Sequence, residues 1–187
     1  PRPESLAGRI RRRVRQPDPV HRLCEVLSLR HRDDPEERWR CCASWQRTLG
    51  NKWNSREFAA KHGCRIPALY WSGSILSALP WSTLPDRYAI RPAFAGGRQG
   101  TYVIVDGCDL LRDVRHSPAS RAGELGRTHR WRWFRPTLVE EFVQPEAAGD
   151  QLPIECKFYM FGEPVGAIEI VRRVNPATTQ VFYTEHW

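Results

Sequence analysis

The sequence predicts an α+β chain, with a helical N-terminal segment followed by small antiparallel sheets with helices. Three observations carry this. The Asp-Pro pairs Asp18-Pro19 and Asp34-Pro35 each precede an apolar stripe at helical spacing. From Ile66 onward the chain turns to short runs rich in β-branched and aromatic residues, punctuated by glycine and proline. Near the C-terminus, Ile154 to Met160 and Val165 to Arg172 flank Phe161-Gly162-Glu163-Pro164 and read as a hairpin.

In order along the chain, residues 1–50 read as helical. Val20, Leu23, Val26, Leu27 and Leu29 form one packing stripe after Asp18, and Trp39, Cys42, Trp45 and Leu49 form another after Asp34. Each aspartate is placed to cap a helix whose first turn holds the proline. Asn51 caps a further helix over Lys52 to His62, which Gly63 stops. Ile66 to Trp71 is a short extended segment, and Leu76 to Leu84 a short helix or loop. Arg87 to Arg91 is a strand, followed by the loop Pro92 to Gly100, the strand Thr101 to Val105 and the turn Asp106-Gly107. The polar, arginine-rich residues 109–135 read as helical in part. Thr137 to Val143 is an apolar strand carrying two carboxylates, and Gln180 to Tyr183 is a final strand. No internal repeat or low-complexity tract is evident.

Composition bounds the function. The chain has 187 residues, 41% of them apolar, enough to fill a core and to exclude wholesale disorder. Its net charge of +8 invites a phosphate or anionic-surface partner. All but three of the 29 basic residues are arginines, the exceptions being Lys52, Lys61 and Lys157, and this imbalance looks like genome composition. The densest run, Arg9 to Arg15, reads as a solvated face or leader, or as an electrostatic contact with nucleic acid, lipid headgroups or a partner. No stretch approaches the roughly 18 apolar residues of a membrane span, and the N-terminus lacks a signal-peptide core, so a soluble, cytoplasmic protein is expected. Cys24, Cys41, Cys42, Cys64, Cys108 and Cys156 show neither a C-x-x-C pair nor histidine at zinc-finger spacing, and read as reduced, mostly buried thiols. His21, His31, His62, His116, His129 and His186 have no partners at ligand spacing.

Three segments could carry chemistry. In Tyr88 to Val103 a strand ends in Arg91, a loop follows with Gly96, Gly97, Arg98 and Gly100, and a strand returns. The glycines let backbone amides approach a polyanion, and the arginines add charge. Such a hairpin is also a common structural element, and it is no Walker A loop, because it lacks Gly-Lys-Ser/Thr and runs into a strand. In Val139-Glu140-Glu141-Phe142-Val143, free main-chain groups and a carboxylate could hold an adenine edge. Taken alone, glutamates in such a strand usually face solvent. In Ile154 to Met160, alternation puts Glu155 and Lys157 on one face, as a surface ion pair or as an acceptor for ribose hydroxyls beside an ammonium for phosphate.

Read in order, these segments resemble the ATP-grasp superfamily of carboxylate–amine ligases, most closely its TupA-like branch, named after teichuronopeptide biosynthesis. The resemblance runs from about Asn51 to Trp187. It is carried by Asn51-Lys52-Trp53 with Arg56-Glu57-Phe58 and Gly63…Ile66-Pro67, by Ala89-Ile90-Arg91-Pro92 with its glycine loop, by Val139 to Val143, and by Glu155-Cys156-Lys157-Phe158-Tyr159-Met160-Phe161-Gly162. It implies an ATP-grasp-like arrangement with a helical segment over 1–50, a helix plus the small phosphate-loop subdomain over 51–136, and the start of the C-terminal subdomain over 137–187. It implies that Lys52 and Arg91 contact ATP phosphates and that the loop at Gly96, Gly97, Arg98 and Gly100 closes over them. Glu140, Glu141, Phe142 and Val143 would hold adenine, Glu155 would face the ribose and Lys157 would reach phosphate. Two of the three lysines fall at phosphate positions, where a compact ammonium differs from a guanidinium.

Two departures stand out. Arg91 replaces a lysine common in the superfamily, which keeps the charge and adds a bidentate fork. The sequence also ends before the strands in which the family carries its acidic and amide magnesium ligands and part of its acceptor site. The expectation is therefore the ATP-binding part of a ligase-like protein, with ATP and Mg2+ as implied cofactors, unknown carboxylate and amine substrates, no metal ligand and no assigned catalytic residue. The alternatives are a catalytically dead scaffold and a basic single-strand binding module using Trp131 and Trp133 with their neighbouring arginines.

Overall fold

A computed structural model describes residues 28–41, 45–94, 100–115, 123, 136–160, 165–174 and 177–184. The chain divides into two compact units, Pro1–Ile66 and Pro67–Trp187. Together they make an α+β protein with few helices and two antiparallel sheets among the described residues.

The first unit contains α1 (Glu36–Trp39), a 3-10 turn (Trp45–Gly50) and α2 (Lys52–Lys61). The Asn51 side chain caps α2 by accepting from the Trp53 N–H at 3.0 Å. Gly63, at φ +74, ends it in the left-handed conformation that glycine tolerates. Fully buried Trp39 packs edge-on to Phe58 at 5.2 Å, and Trp45 lies 5.5 Å from the same ring. Another face of α2 is polar. Asn54, Glu57 and Lys61, at helical spacing, tie down the segment Ser28 to Asp34.

Two expectations for this unit are corrected. The stripe after Asp34 does not form one helix, because α1 is a single turn and the chain resumes in a 3-10 turn at Trp45. Nor does Asp34 cap α1. Its carboxylate accepts from the His31 N–H at 2.7 Å and pairs with Arg38 at 2.8 Å, so that Pro35, with extended backbone, occupies the cap position. Of the stripe after Asp18 only Leu29 is described, and it is exposed. The Arg9 to Arg15 run, Trp131 and Trp133 lie outside the described residues.

The second unit holds β1 (Leu69–Gly73), β2 (Arg87–Pro92), β3 (Tyr102–Val105), β4 (Cys108–Asp109), β5 (Val114–Arg115) and β6 (Thr137–Glu141) in one sheet of order β1-β6-β2-β3-β4-β5. Every neighbouring pair is antiparallel. Alternation sends Tyr88, Ile90, Tyr102, Ile104 and Val139 to one face, where they bury with Leu79 against Trp71, Trp81 and Leu84. Each such side chain contributes about 1.5–3 kcal/mol by leaving water. A Cβ at Gly73 would sit 2.6 Å from the Trp71 indole, so glycine is what lets that ring lie against its own strand. A second sheet, β7-β8-β9, comprises Glu155–Met160, Val165–Val174 and Ala177–Tyr183.

Residues 109–115 form a turn and the short strand β5, and of the rest of the 109–135 segment only Gly123, which is helical, is described. Buried Asp109 accepts from the N–H groups of Val103 and Leu111 and from Arg112, whose guanidinium lies 4.3 Å over the Tyr102 ring. This locks a tight turn, closed by Asp113 at φ 55, between β4 and β5. Cysteine burial is also corrected. Cys41, Cys64 and Cys156 are exposed and Cys108 half-buried, all four as free thiols, since they fall outside regular structure, on the two-residue strand β4 or on the open face of β7.

The Asp106-Gly107 turn joining β3 to β4 has both residues in the left-handed region, at φ 49 and φ 82. A Cβ at Gly107 meets only Arg115 Nη1, at 3.9 Å, so Gly107→Ala tests backbone strain alone. It should cost about 1–2 kcal/mol in urea denaturation. A shift under a few tenths would show that the turn relaxes.

Candidate functional site

β6 places the first group. It lies between β1 and β2, with Ala89 opposite Glu140 and Arg91 opposite Leu138. Arg91 and Glu140 are therefore diagonal neighbours on the face turned away from the apolar cluster. Arg91 Nε donates to Glu140 Oε2 at 2.5 Å. The carboxylate is buried, at 2% exposure, while the Arg91 side chain keeps 35%. Nε is thus committed, and Nη1 and Nη2 are used by no described residue.

This corrects two expectations. Glu140 does not face solvent, because an interior strand buries it. The main chain of Glu140 and Glu141 is not free either, since β6 is paired on both sides. Glu141 donates its N–H to the Ala68 carbonyl at 2.8 Å, and its carboxylate accepts from the Ala68 N–H at 2.9 Å. The ladder with β2 ends at Tyr88↔Glu141. Buried Phe142 and exposed Val143 follow it.

The glycine loop opens directly after Arg91. Ala93 N–H donates to the Pro136 carbonyl at 2.8 Å, fixing the departure from β2 beside the start of β6. Gly100, buried and at φ +68, returns the chain to β3. Gly96, Gly97 and Arg98 lie outside the described residues. Lys52 stands in the first turn of α2, half-buried, in the first unit.

A second group lies on one face of the three-stranded sheet. β7 puts Glu155, Lys157 and Tyr159 on that face, opposite Val171, Glu169 and Ala167 of β8. Lys157 Nζ lies 4.0 Å from Glu155 and 3.3 Å from both oxygens of Glu169. The Tyr159 hydroxyl donates to Glu169 at 2.6 Å, and Arg173 pairs with Glu155. Glu169 is buried, and Asp150 grips Arg172 of the same strand from the preceding connection. Arg173 Nε is a buried donor with no acceptor among the described residues.

Glu169 and Arg173 were missed by the sequence reading, which took β8 for a plain strand. The signal was available. Pairing Met160 with Val165 across the short connection brings Lys157 opposite Glu169, and the alternation of Glu169 and Val171 with Ile168 and Ile170 then puts the acid on the Lys157 face.

No protein-family model, no curated protein and no solved structure matches this chain. The residues themselves therefore carry the assignment. For a nucleotide the donors fit, since Arg91 and Lys157 each present cationic N–H groups from a side chain that is one-third or more exposed. For magnesium they do not. Among the described residues no three His, Cys, Asp or Glu side chains form a group that could hold a metal ion. No helix among them is long and apolar enough to cross a membrane.

The Tyr159 hydrogen bond, helped by Lys157 and Arg173, holds the Glu169 carboxyl below its ordinary range against the opposing effect of burial. A depressed native pKa adds stability that is present above the unfolded value and lost as pH falls through the native one. Glu169→Gln should therefore flatten the acid limb of the stability–pH curve below about pH 4.5, the ordinary carboxyl range. Parallel acid limbs for the two proteins would sink this.

Proposed function

We propose that this chain binds ATP as the nucleotide-holding part of an ATP-grasp carboxylate–amine ligase-like protein of the TupA-like kind. The observation that supports it most is the Arg91–Glu140 pair. It sits where the glycine loop leaves β2 beside the start of β6, so the cation and the loop are neighbours at one end of the sheet, while β6 carries the Glu141 to Val143 segment to the other end. Glu140, held in an interior strand, fixes Arg91 through Nε and leaves its terminal nitrogens for phosphate oxygens. The main chain at Phe142 and Val143, past the end of the ladder, offers the adenine edge its donor and acceptor. Lys157 and Glu155 supply an ammonium and an acceptor on the other sheet.

When bound, ATP would supply a γ-phosphoryl group to a substrate carboxylate, and an amine would capture the product. The described residues contribute binding, orientation and charge to this. Titration calorimetry with ATP tests the reading. Lys157→Ala should weaken binding about tenfold, the loss of one charge-assisted contact, and Arg91→Ala about a hundredfold, the loss of a bidentate fork. No heat from the unaltered protein at millimolar ATP, or unchanged affinity in both variants, would refute it. Salt-dependent binding of single-stranded oligonucleotide without ATP binding would favour the basic module instead.

A further inference from the structure

We infer that Glu169 is a positioning residue for Lys157: its buried carboxylate, oriented by the Tyr159 hydroxyl, fixes the ammonium on the polar face of the three-stranded sheet, where a ligand phosphate meets it. The inference rests on the nucleotide reading above and extends it to residues that reading does not contain.

The geometry separates a fixed partner from a movable one. β8 is the central strand, and Glu169 stands mid-strand with Lys157 of β7 on one side and Phe182 of β9 on the other. Its backbone is thus paired in both directions and its side chain is buried. Lys157 belongs to an edge strand and keeps 39% of its side chain exposed. An exposed lysine samples many rotamers, and holding one of them costs entropy that a ligand would otherwise have to supply. Here both carboxylate oxygens lie 3.3 Å from Nζ, and Tyr159 holds one of them at 2.6 Å. The hydroxyl fixes the orientation of the acid, and the acid fixes the lysine. Glu155 cannot take over this role, because it is 4.0 Å from Nζ and engaged by Arg173. β9 faces the cluster with Thr178, Gln180 and Phe182, none of them charged.

Two cations and two carboxylates share this face, so removing the Glu169 charge would add electrostatic attraction to phosphate while releasing the lysine. Charge-conserving variants avoid that conflict. Glu169→Asp keeps the carboxylate and withdraws it by one methylene, and Tyr159→Phe removes only the orienting hydroxyl.

The chain has three lysines, so reductive 13C-methylation of the full protein gives three side-chain amine signals, with Lys157 assigned by Lys157→Arg. The Lys157 signal should stand apart from that of free lysine and collapse toward it in Glu169→Asp. The ratio of ATP to adenosine affinity should fall about five- to tenfold in Glu169→Asp, the order of a lysine's rotamer entropy, and less in Tyr159→Phe. A Lys157 signal identical in unaltered and Glu169→Asp protein, or an unchanged affinity ratio in both variants, overturns the positioning role. A Lys157 signal that depends on Glu169 but that ATP does not move refutes the phosphate contact and leaves the anchoring in place.

Discussion

Asn54→Ala is expected to destabilise the first unit by about 3 kcal/mol or more, since orphaned buried groups cost roughly 1–3 kcal/mol each. The fully buried Asn54 amide accepts from the Arg30 N–H at 2.9 Å and donates to the carbonyls of Ser28 and Thr48 at 3.0 and 3.1 Å. Truncation leaves three main-chain groups without their partner and cuts the tie between α2 and the segments before it. The neighbouring contacts cannot compensate, because they are engaged elsewhere. Trp53 Nε1 holds the Arg30 carbonyl at 2.9 Å, and Glu57 is taken by the N–H and guanidinium of Arg32. Urea denaturation followed by amide exchange at Arg30 reads this directly. Asn54→Asp, which keeps the acceptor and loses the donors, should fall between Ala and the unaltered protein. A shift below about 0.5 kcal/mol for Asn54→Ala, the scale of an ordinary surface substitution, would show that water replaces the side chain.

What was legible in the sequence was what is encoded locally. The Asn51 cap and the Gly63 stop lie within two residues of the helix they bound, and α2 follows from them. The β7–β8 hairpin and the β2–β3 pair follow from alternation across a short connection. What escaped depends on partners distant in sequence. Nothing near Glu140 shows that β6 inserts between β1 and β2, yet that insertion buries the carboxylate and pairs its main chain. Asn54 and Glu57 look like solvent-facing helix residues because their partners, Ser28 to Arg32, lie a loop and two turns away. Asp34 was misread for another reason: a short carboxylate can cap a helix or close a turn, and geometry rather than residue type decides which.

The largest functional effect is expected from the Arg91–Glu140 pair, and a double substitution separates its two roles. Glu140→Ala alone leaves the Arg91 guanidinium beside an emptied site. It should cost about 2–3 kcal/mol, below the 3–5 typical of a broken buried pair because Arg91 is partly solvated. Arg91→Met with Glu140→Leu instead fills the volume with apolar groups and removes both charges. Such replacements are neutral or stabilising where the pair serves only the fold. The double variant should therefore keep its thermal midpoint within a few degrees while binding ATP at least about a hundredfold more weakly, since the phosphate fork and its anchor are both gone. If it is stable and still binds ATP, the pair is a packing device and the nucleotide site lies elsewhere. If its loss of stability is no smaller than that of Glu140→Ala, the polar pair itself specifies the β2–β6 register, and Arg91→Lys is then the variant that separates fold from ligand. A lysine keeps the charge against Glu140 but lacks the planar fork, so the fold should survive and ATP affinity should fall by about tenfold.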